Sequence, residues 1–155
     1  MAEAPVILTE GAVIYLADNL DEKDKLGWCI DTEGRGFAEQ FQAHSCKPKG
    51  GDTQFSFDAA TGVIQSVAFD GKCMTLSDPD NQALPFGLLD CEQDEPAQQF
   101  AYDAETMQFK IAGDDTHFVA VAPISIAAGP FMSRDLILAS CADTDPSIMQ
   151  WVSRD

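Results

Sequence analysis

Short apolar and β-branched stretches alternate with polar turn segments along the whole chain. Their shortness, and the Gly, Pro, Asn and Asp residues between them, are typical of β-strands joined by turns. The pattern predicts strands at Val6–Leu8, Ala12–Ala17, Trp28–Ile30, Phe41–Ser45, Gln54–Phe57, Val63–Phe69, Cys73–Leu76, Leu84–Asp90, Gln99–Tyr102, Gln108–Ile111, Phe118–Ala122, Leu136–Ser140 and Gln150–Val152. We therefore expect an all-β protein.

The chain repeats itself at a nearly constant interval. Three cysteines are separated by 45 and 50 residues, and an aromatic residue follows each of them: Cys46 with Phe55, Cys91 with Phe100, and Cys141 with Trp151. Repetition with a period of about 20 to 50 residues is typical of units that bury a shared core only together. We expect three repeats of about four strands each, at about residues 6–57, 58–102 and 103–153, closed into a barrel with threefold pseudosymmetry.

Length and charge narrow the class of protein. A chain of 155 residues with 45% hydrophobic residues is expected to form one domain with a folded core. The net charge of −17 and the pI near 4.1 arise partly from acidic clusters in the polar segments, such as Asp21–Asp24 and Glu92–Glu95. This charge repels phosphate backbones and anionic lipids, which argues against nucleic acid and acidic membranes as partners.

Four of the five cysteines form two equivalent pairs. Cys29 and Cys46 are 17 residues apart in the first repeat, and Cys73 and Cys91 are 18 apart in the second. Matching spacing in matching units predicts one disulfide bond per unit, and such bonds persist in oxidising compartments. We therefore expect a secreted or periplasmic protein.

Three further observations concern the remaining cysteine and the location of the protein. Phe118 stands where the third repeat would have its first cysteine, so Cys141 is expected to be unpaired and buried as a small apolar residue. No apolar run reaches the roughly 20 residues of a transmembrane helix, so no membrane insertion is expected. Residues 1–10 lack the regions of a signal peptide, and Ala2–Pro5 is either a start left after signal cleavage or a natural cytosolic start.

Three motifs carry a resemblance to a known family. The first cysteine pair reads Cys29-Ile30-Asp31 and Gln42-Ala43-His44-Ser45-Cys46, and the repeats end in Thr53-Gln54-Phe55, Gln98-Gln99-Phe100 and Met149-Gln150-Trp151. In this order and register, over about residues 8–153, the chain resembles the ricin B-type lectin family, whose β-trefoil members bind sugars. The resemblance implies a β-trefoil with a sugar as ligand.

The resemblance also implies a sugar site in the first repeat. Asp31 would accept hydrogen bonds from two neighbouring hydroxyls, His44 would supply the ring that covers the sugar's C–H face, and Gln42 would support them. Asp52 stands where the family usually has Asn, and Thr53 where it has Gln. From the residues alone, Asp31 could equally be a turn residue that accepts backbone N–H groups, and His44 a half-buried strand residue with one ring nitrogen bonded.

The equivalent positions of the other repeats lack this chemistry. The second repeat has Thr75 for the Asp and Leu89 for the ring, and the third has Ala120 and Ala139. These side chains cannot both hold hydroxyls and stack on a sugar. We therefore expect at most one site of the family type, for a galactose-type or related glycan.

Other functions are weaker candidates. The two histidines, His44 and His117, fall in different repeats, and no nucleophile motif accompanies either, so we expect no enzyme activity. The cysteine spacing fits no zinc site, residues 18–24 do not form an EF-hand loop, and no cofactor is expected. A second hypothesis is a degenerate β-trefoil that binds a protein, as an inhibitor or a component of a secreted complex, rather than a sugar.

Overall fold

The computed structural model describes residues 4–32, 40–48, 53–77, 80, 85–114, 116–140 and 144–154. Asp52 and Cys141, both named above, lie outside these ranges. The described residues form β1 (Val13–Leu16), β2 (Trp28–Thr32), β3 (Phe41–Ser45), β4 (Phe55–Asp58), β5 (Val63–Ser66), β6 (Lys72–Leu76), β7 (Phe86–Asp90), β8 (Phe100–Asp103), β9 (Gln108–Ile111), β10 (His117–Val121), β11 (Ile126–Ala128), β12 (Phe131–Ser140) and β13 (Trp151–Arg154). Single turns of 3₁₀ helix at Pro96–Gln98 and Pro146–Ile148 precede β8 and β13.

All the paired strands are antiparallel and form two sheets. One sheet has the order β13-β1-β2-β3-β12-β10-β9-β8, with β11 added beside β12, and the other has the order β4-β5-β6-β7. Val13 on β1 lies opposite Arg154 on β13, so strands from the two ends of the chain are neighbours. The all-β class predicted from the sequence is confirmed.

The aromatic residues that end the three sequence motifs open β4, β8 and β13. Their side chains are buried, and their backbone N–H groups donate to the carbonyl of a preceding turn: Phe55 to Ala12 at 3.0 Å, Phe100 to Gly62 at 2.7 Å and Trp151 to Met107 at 2.6 Å. The same bond therefore recurs once in each repeat. It fixes each aromatic side chain in one shared core, with Ile14, Leu16, Ile30, Ile64, Leu88 and Val119 among its other members.

Both predicted disulfide bonds are present, Cys29–Cys46 and Cys73–Cys91. The backbone around them is also equivalent, because Cys46 and Cys91 donate their N–H groups to Gly27 and Gly71 at 3.0 and 2.9 Å. Their surroundings differ: both sulfur-bearing residues of the first bond are buried, whereas Cys91 is exposed. Two bonds of this kind are typical of oxidising compartments.

Two strand predictions differ from the structure. Val6–Leu8 forms no strand: Val6 and Leu8 are 60% and 53% exposed, Ile7 packs on the cluster of Val13, Cys29 and Cys46, and the Val6 N–H donates to the Lys25 carbonyl in the turn before β2. The predicted strand Leu136–Ser140 begins earlier, at Phe131, and pairs there with β11, a strand that was not predicted. No helix in the described part of the chain is long and apolar enough to cross a membrane.

The β11–β12 hairpin reaches from the third repeat onto the first. Its turn contains Gly129, whose φ of 61° suits glycine, and the first residues of β12 pair with β3. In that pairing Ser133 lies opposite His44, and Asp135 lies opposite Gln42. The hairpin therefore borders the candidate site.

Candidate functional site

The pairing of β2 with β3 brings three of the predicted site residues to one face. Cys29 lies opposite His44, and Asp31 lies opposite Gln42. Side chains alternate between the two faces of a sheet, and directly opposite residues share a face. Asp31, Gln42 and His44 therefore project from the face that points away from the core, which we call the outer face.

Asp31 contacts Gln42 directly. The Gln42 Nε2 donates to the Asp31 Oδ2 at 3.1 Å, and Asp31 is only 1% exposed. The buried Asp31 carboxylate thus orients the more accessible Gln42 amide. Gln42 is more accessible, and its amide has a carbonyl oxygen and a second N–H with which to meet a ligand.

His44 is more deeply placed than an open stacking platform would be. It is 8% exposed, its Nδ1 lies 2.9 Å from the Ser45 carbonyl oxygen, and its ring centroid lies 5.7 Å from that of Phe131, with the planes inclined at 59°. The more accessible ring of this pair belongs to Phe131, which is half-buried. Aromatic surface at this position is therefore shared between the first and third repeats.

Sequence reasoning missed the part of the site that β12 supplies. Asp135, opposite Gln42, is exposed and extends the row that begins with Asp31 and Gln42. The available signal was the interval of 50 residues between Cys91 and Cys141, five more than the preceding interval of 45. An insertion in the third repeat could be inferred from it, but its position beside β3 could not.

Arg134 anchors β12 on the core side of the same strands. It is 5% exposed, its guanidinium lies 4.7 Å from the centroid of the Trp28 ring, and it donates to the Asp21 carboxylate at 2.6 Å and the Ala122 carbonyl at 2.7 Å. Partial burial raises the pKa of Asp21, but hydrogen bonds from Ser125 and Arg134 and the Arg134 charge outweigh it, so this pKa is lowered from 3.8.

A second anchor runs through a buried carboxylate. Glu22 is 3% exposed and accepts from the Leu26 N–H at 3.0 Å and the Ser45 hydroxyl at 2.6 Å. The same Ser45 oxygen accepts the Met132 N–H of β12 at 3.0 Å. The turn before β2, the end of β3 and the start of β12 are thereby joined through side chains whose polar groups are paired.

The second repeat has a depression where the first has its candidate groups. Thr75 lies opposite Gly87, and a cavity of about 510 Å³ is lined by Leu76, Leu89, Asp90, Glu92 and Glu95, among others. The buried Gln98 donates to the Thr75 hydroxyl at 3.1 Å and to the Asp90 carbonyl at 2.8 Å, which fixes the loop beside the cavity. Neither a carboxylate at position 75 nor a ring at position 89 faces it.

The third repeat offers still less. Ala120 is fully buried and Ala139 is 8% exposed, and both pack with Met149 in a small apolar cluster. Its one histidine, His117, lies apart from that cluster's buried centre and pairs with the Asp114 carboxylate at 3.1 Å. In the part of the chain that the structure describes, no three His, Cys, Asp or Glu residues come together to hold a metal ion.

Comparison with known proteins decides the family. The model of the ricin-type β-trefoil lectin domain matches residues 19–151. The chain belongs to this family. Among curated proteins, no sequence matches the chain.

Solved structures agree with the ricin-type lectin assignment. The C-terminal half of an earthworm R-type lectin, in complex with GalNAc, is 13% identical with a TM-score of 0.64, over 93% of this chain and 98% of that chain. The β-trefoil lectin of the Vibrio vulnificus hemolysin/cytolysin, with N-acetyl-D-lactosamine bound, is 12% identical with a TM-score of 0.61, over 92% and 91%. At these identities the likeness establishes the fold, and the predicted β-trefoil is confirmed.

Proposed function

We propose that this ricin-type lectin domain binds a galactose-type or related glycan on the outer face of its first repeat, as a secreted or periplasmic protein. Asp31, Gln42 and His44 form the centre of the proposed site, with Asp52 as a further polar group. The proposal assigns a binding role and no catalytic step. It is supported by the family, by the sugars bound to the neighbouring lectins and by the two disulfide bonds.

The observation that carries the proposal is the hydrogen bond between Gln42 and Asp31. A carboxylate held beneath an amide orients that amide, which can then donate to one sugar hydroxyl and accept from another. Direct contact between Asp31 and a hydroxyl requires a wider opening than this structure has, because the residue is 1% exposed. Asp31 therefore acts mainly by positioning Gln42 and keeping the site acidic.

Burial favours one second candidate, a protein-binding β-trefoil without sugar affinity. Asp31 and His44 are 1% and 8% exposed, so the two groups that the family uses for hydroxyls and stacking are largely covered. In that case the outer face would serve as a contact surface and Asp31 as a structural residue. The two candidates predict different results for an isosteric change at Asp31.

The test is a glycan array probed with the native chain, Asp31→Asn and Asp90→Asn. Asp31→Asn retains the shape of the side chain but weakens its hold on Gln42, so we expect at least tenfold weaker glycan binding. Asp90→Asn removes one charge from an exposed carboxylate of the second repeat and should leave binding unchanged. A folded native chain that binds no glycan at high density would refute the proposal and favour the protein-binding candidate.

A further inference from the structure

The outer face continues beyond β3 onto the β11–β12 hairpin. Ile126 on β11 lies opposite Ser133 on β12, which in turn lies opposite His44 on β3. In the adjacent row, Asp135 lies opposite Gln42. Four strands from two repeats therefore present one surface, although the family-type motif lies only in the first repeat.

Apolar and charged groups are separated on this surface. Ile126 is 63% exposed, and the half-buried Phe131 lies beside it at the hairpin turn, opposite Ala128. Asp135 and Gln42 lie on the other side of the row that contains Ser133. An apolar strip next to a row of hydrogen-bonding groups complements a sugar ring, which has a C–H face and a hydroxyl edge.

The hairpin is fixed in this position by bonds to the first repeat. Arg134 and Ser125 both donate to the Asp21 carboxylate, and the Met132 N–H donates to the Ser45 hydroxyl oxygen. A ligand would therefore meet a surface that is already formed, which lowers the entropy cost of binding. The hairpin already borders the site in this structure and needs no rearrangement to contact a ligand there.

We propose that the β11–β12 hairpin completes the glycan site, with Phe131 as its stacking surface and Asp135 as the residue that selects neutral over anionic glycans. This inference rests on the glycan-binding function proposed above. Asp135 and Asp31 lie on either side of Gln42, two strand spacings or about 10 Å apart. A sialic acid or sulfate group bound beside Gln42 would lie near these two carboxylates. The two rows of the outer face, Asp31–Gln42–Asp135 and Cys29–His44–Ser133, include no Lys or Arg to offset the repulsion.

Selectivity is tested by titrating the native chain, Asp135→Asn and Asp90→Asn with N-acetyl-lactosamine and with its 6′-sialylated form. We expect the native chain to prefer the neutral sugar, and Asp135→Asn to reduce that preference about threefold to fivefold by removing local repulsion. Asp90→Asn makes the same change in net charge at a distant exposed site and should leave the preference as it was. Measurements at low and high salt should show the preference shrinking as salt rises.

The stacking role is tested with Phe131→Ala and Phe131→Trp, with Val67→Ala as a control that removes an exposed apolar side chain from the second repeat. We expect about tenfold weaker binding of the neutral sugar with alanine, and native or tighter binding with tryptophan, which retains a flat ring. Thermal unfolding of each variant shows whether the hairpin remains folded, and rescue by tryptophan separates stacking from a general loss of structure.

The outcomes distinguish the two proposals. Native binding that responds to Asp31→Asn but not to Phe131→Ala or Asp135→Asn would refute the role of the hairpin and leave the first-repeat site standing. Equal effects of Asp135→Asn and Asp90→Asn would show that selectivity comes from net charge and would overturn the assignment of Asp135. If the native chain binds neither sugar, the proposed function fails and this inference fails with it.

Discussion

The first and second repeats have the same hairpin with different borders. In both, the cysteine at the second position of one strand is bonded to the cysteine that follows its partner strand. The pairs Asp31–Gln42 and Thr75–Gly87 occupy matching positions. In the first repeat β3 pairs on its other side with β12, whereas β7 is the last strand of its sheet. The second repeat consequently has an open depression, whereas the corresponding surface of the first repeat is bordered by the β11–β12 hairpin. The difference comes from an insertion in the third repeat, not from either hairpin itself.

The largest expected effect concerns the two disulfide bonds. Their loops are 17 and 18 residues long, so loop closure alone predicts a similar loss for each, about 3 kcal/mol. Cys29 and Cys46 are fully buried, and replacing both by alanine also leaves space in the core, which should add about 1 kcal/mol or more. Denaturant unfolding of the two double variants measures this, and equal losses would contradict the contrast in burial.

The next effect contrasts the buried cation Arg134 with Lys72, whose carboxylate partner is exposed. Arg134→Met removes a guanidinium that bonds Asp21 and Ala122 and lies over Trp28, and should lower the free energy of unfolding by about 2 kcal/mol. Lys72→Met breaks a pair with Asp90 whose carboxylate is 82% exposed, and should change it by less than about 1 kcal/mol. Chemical denaturation of both variants gives the two values. A larger loss for Lys72→Met would mean that the hairpin anchor contributes little.

The smallest expected effect is a dependence of the free energy of unfolding on pH, through the Asp21 carboxylate that bonds Arg134 and Ser125. The pKa of Asp21 is lowered from 3.8 in the folded chain, so its contribution to stability is present above about pH 4 and is lost as pH falls through the lower folded value. Asp21→Asn should therefore lose less stability than the native chain below pH 4. Asp90→Asn, at an exposed site of the second repeat, is the control. Identical acid profiles for native and Asp21→Asn chains would show that the anchor is insensitive to protonation.

Features that repeat within the chain could be predicted from the sequence. Cys46 and Cys91, and the aromatic residues that follow them, occupy equivalent positions in repeated units. Equal intervals in the sequence therefore indicate equal structure. The disulfide pairs, the shared aromatic core and the all-β class follow from that regularity and are confirmed. Asp31, Gln42 and His44 were also brought to one face, because their positions follow from the register of a single hairpin.

Features that depend on distant pairing could not be predicted. Ser133, Arg134 and Asp135 are polar or charged and are typical of a loop in sequence, yet they form a strand because β3 provides a partner. Arg134 is buried because Trp28 and Asp21, more than a hundred residues earlier, receive it. The burial of Asp31 and His44 likewise depends on the surrounding fold rather than on their own motif.

The pairing of β1 with β13 has a consequence for how the chain is made. Residues 13–16 leave the ribosome well before their partner residues 151–154, and β3 likewise leaves well before its partner β12. The sheet of the first repeat therefore closes only after β12 and β13 have emerged, and such distant pairing is slow. Cys29 and Cys46 are close in sequence and can be oxidised before that closure, which then buries both sulfur atoms. The order of oxidation and closure thus decides whether an oxidoreductase can still reach the first disulfide bond.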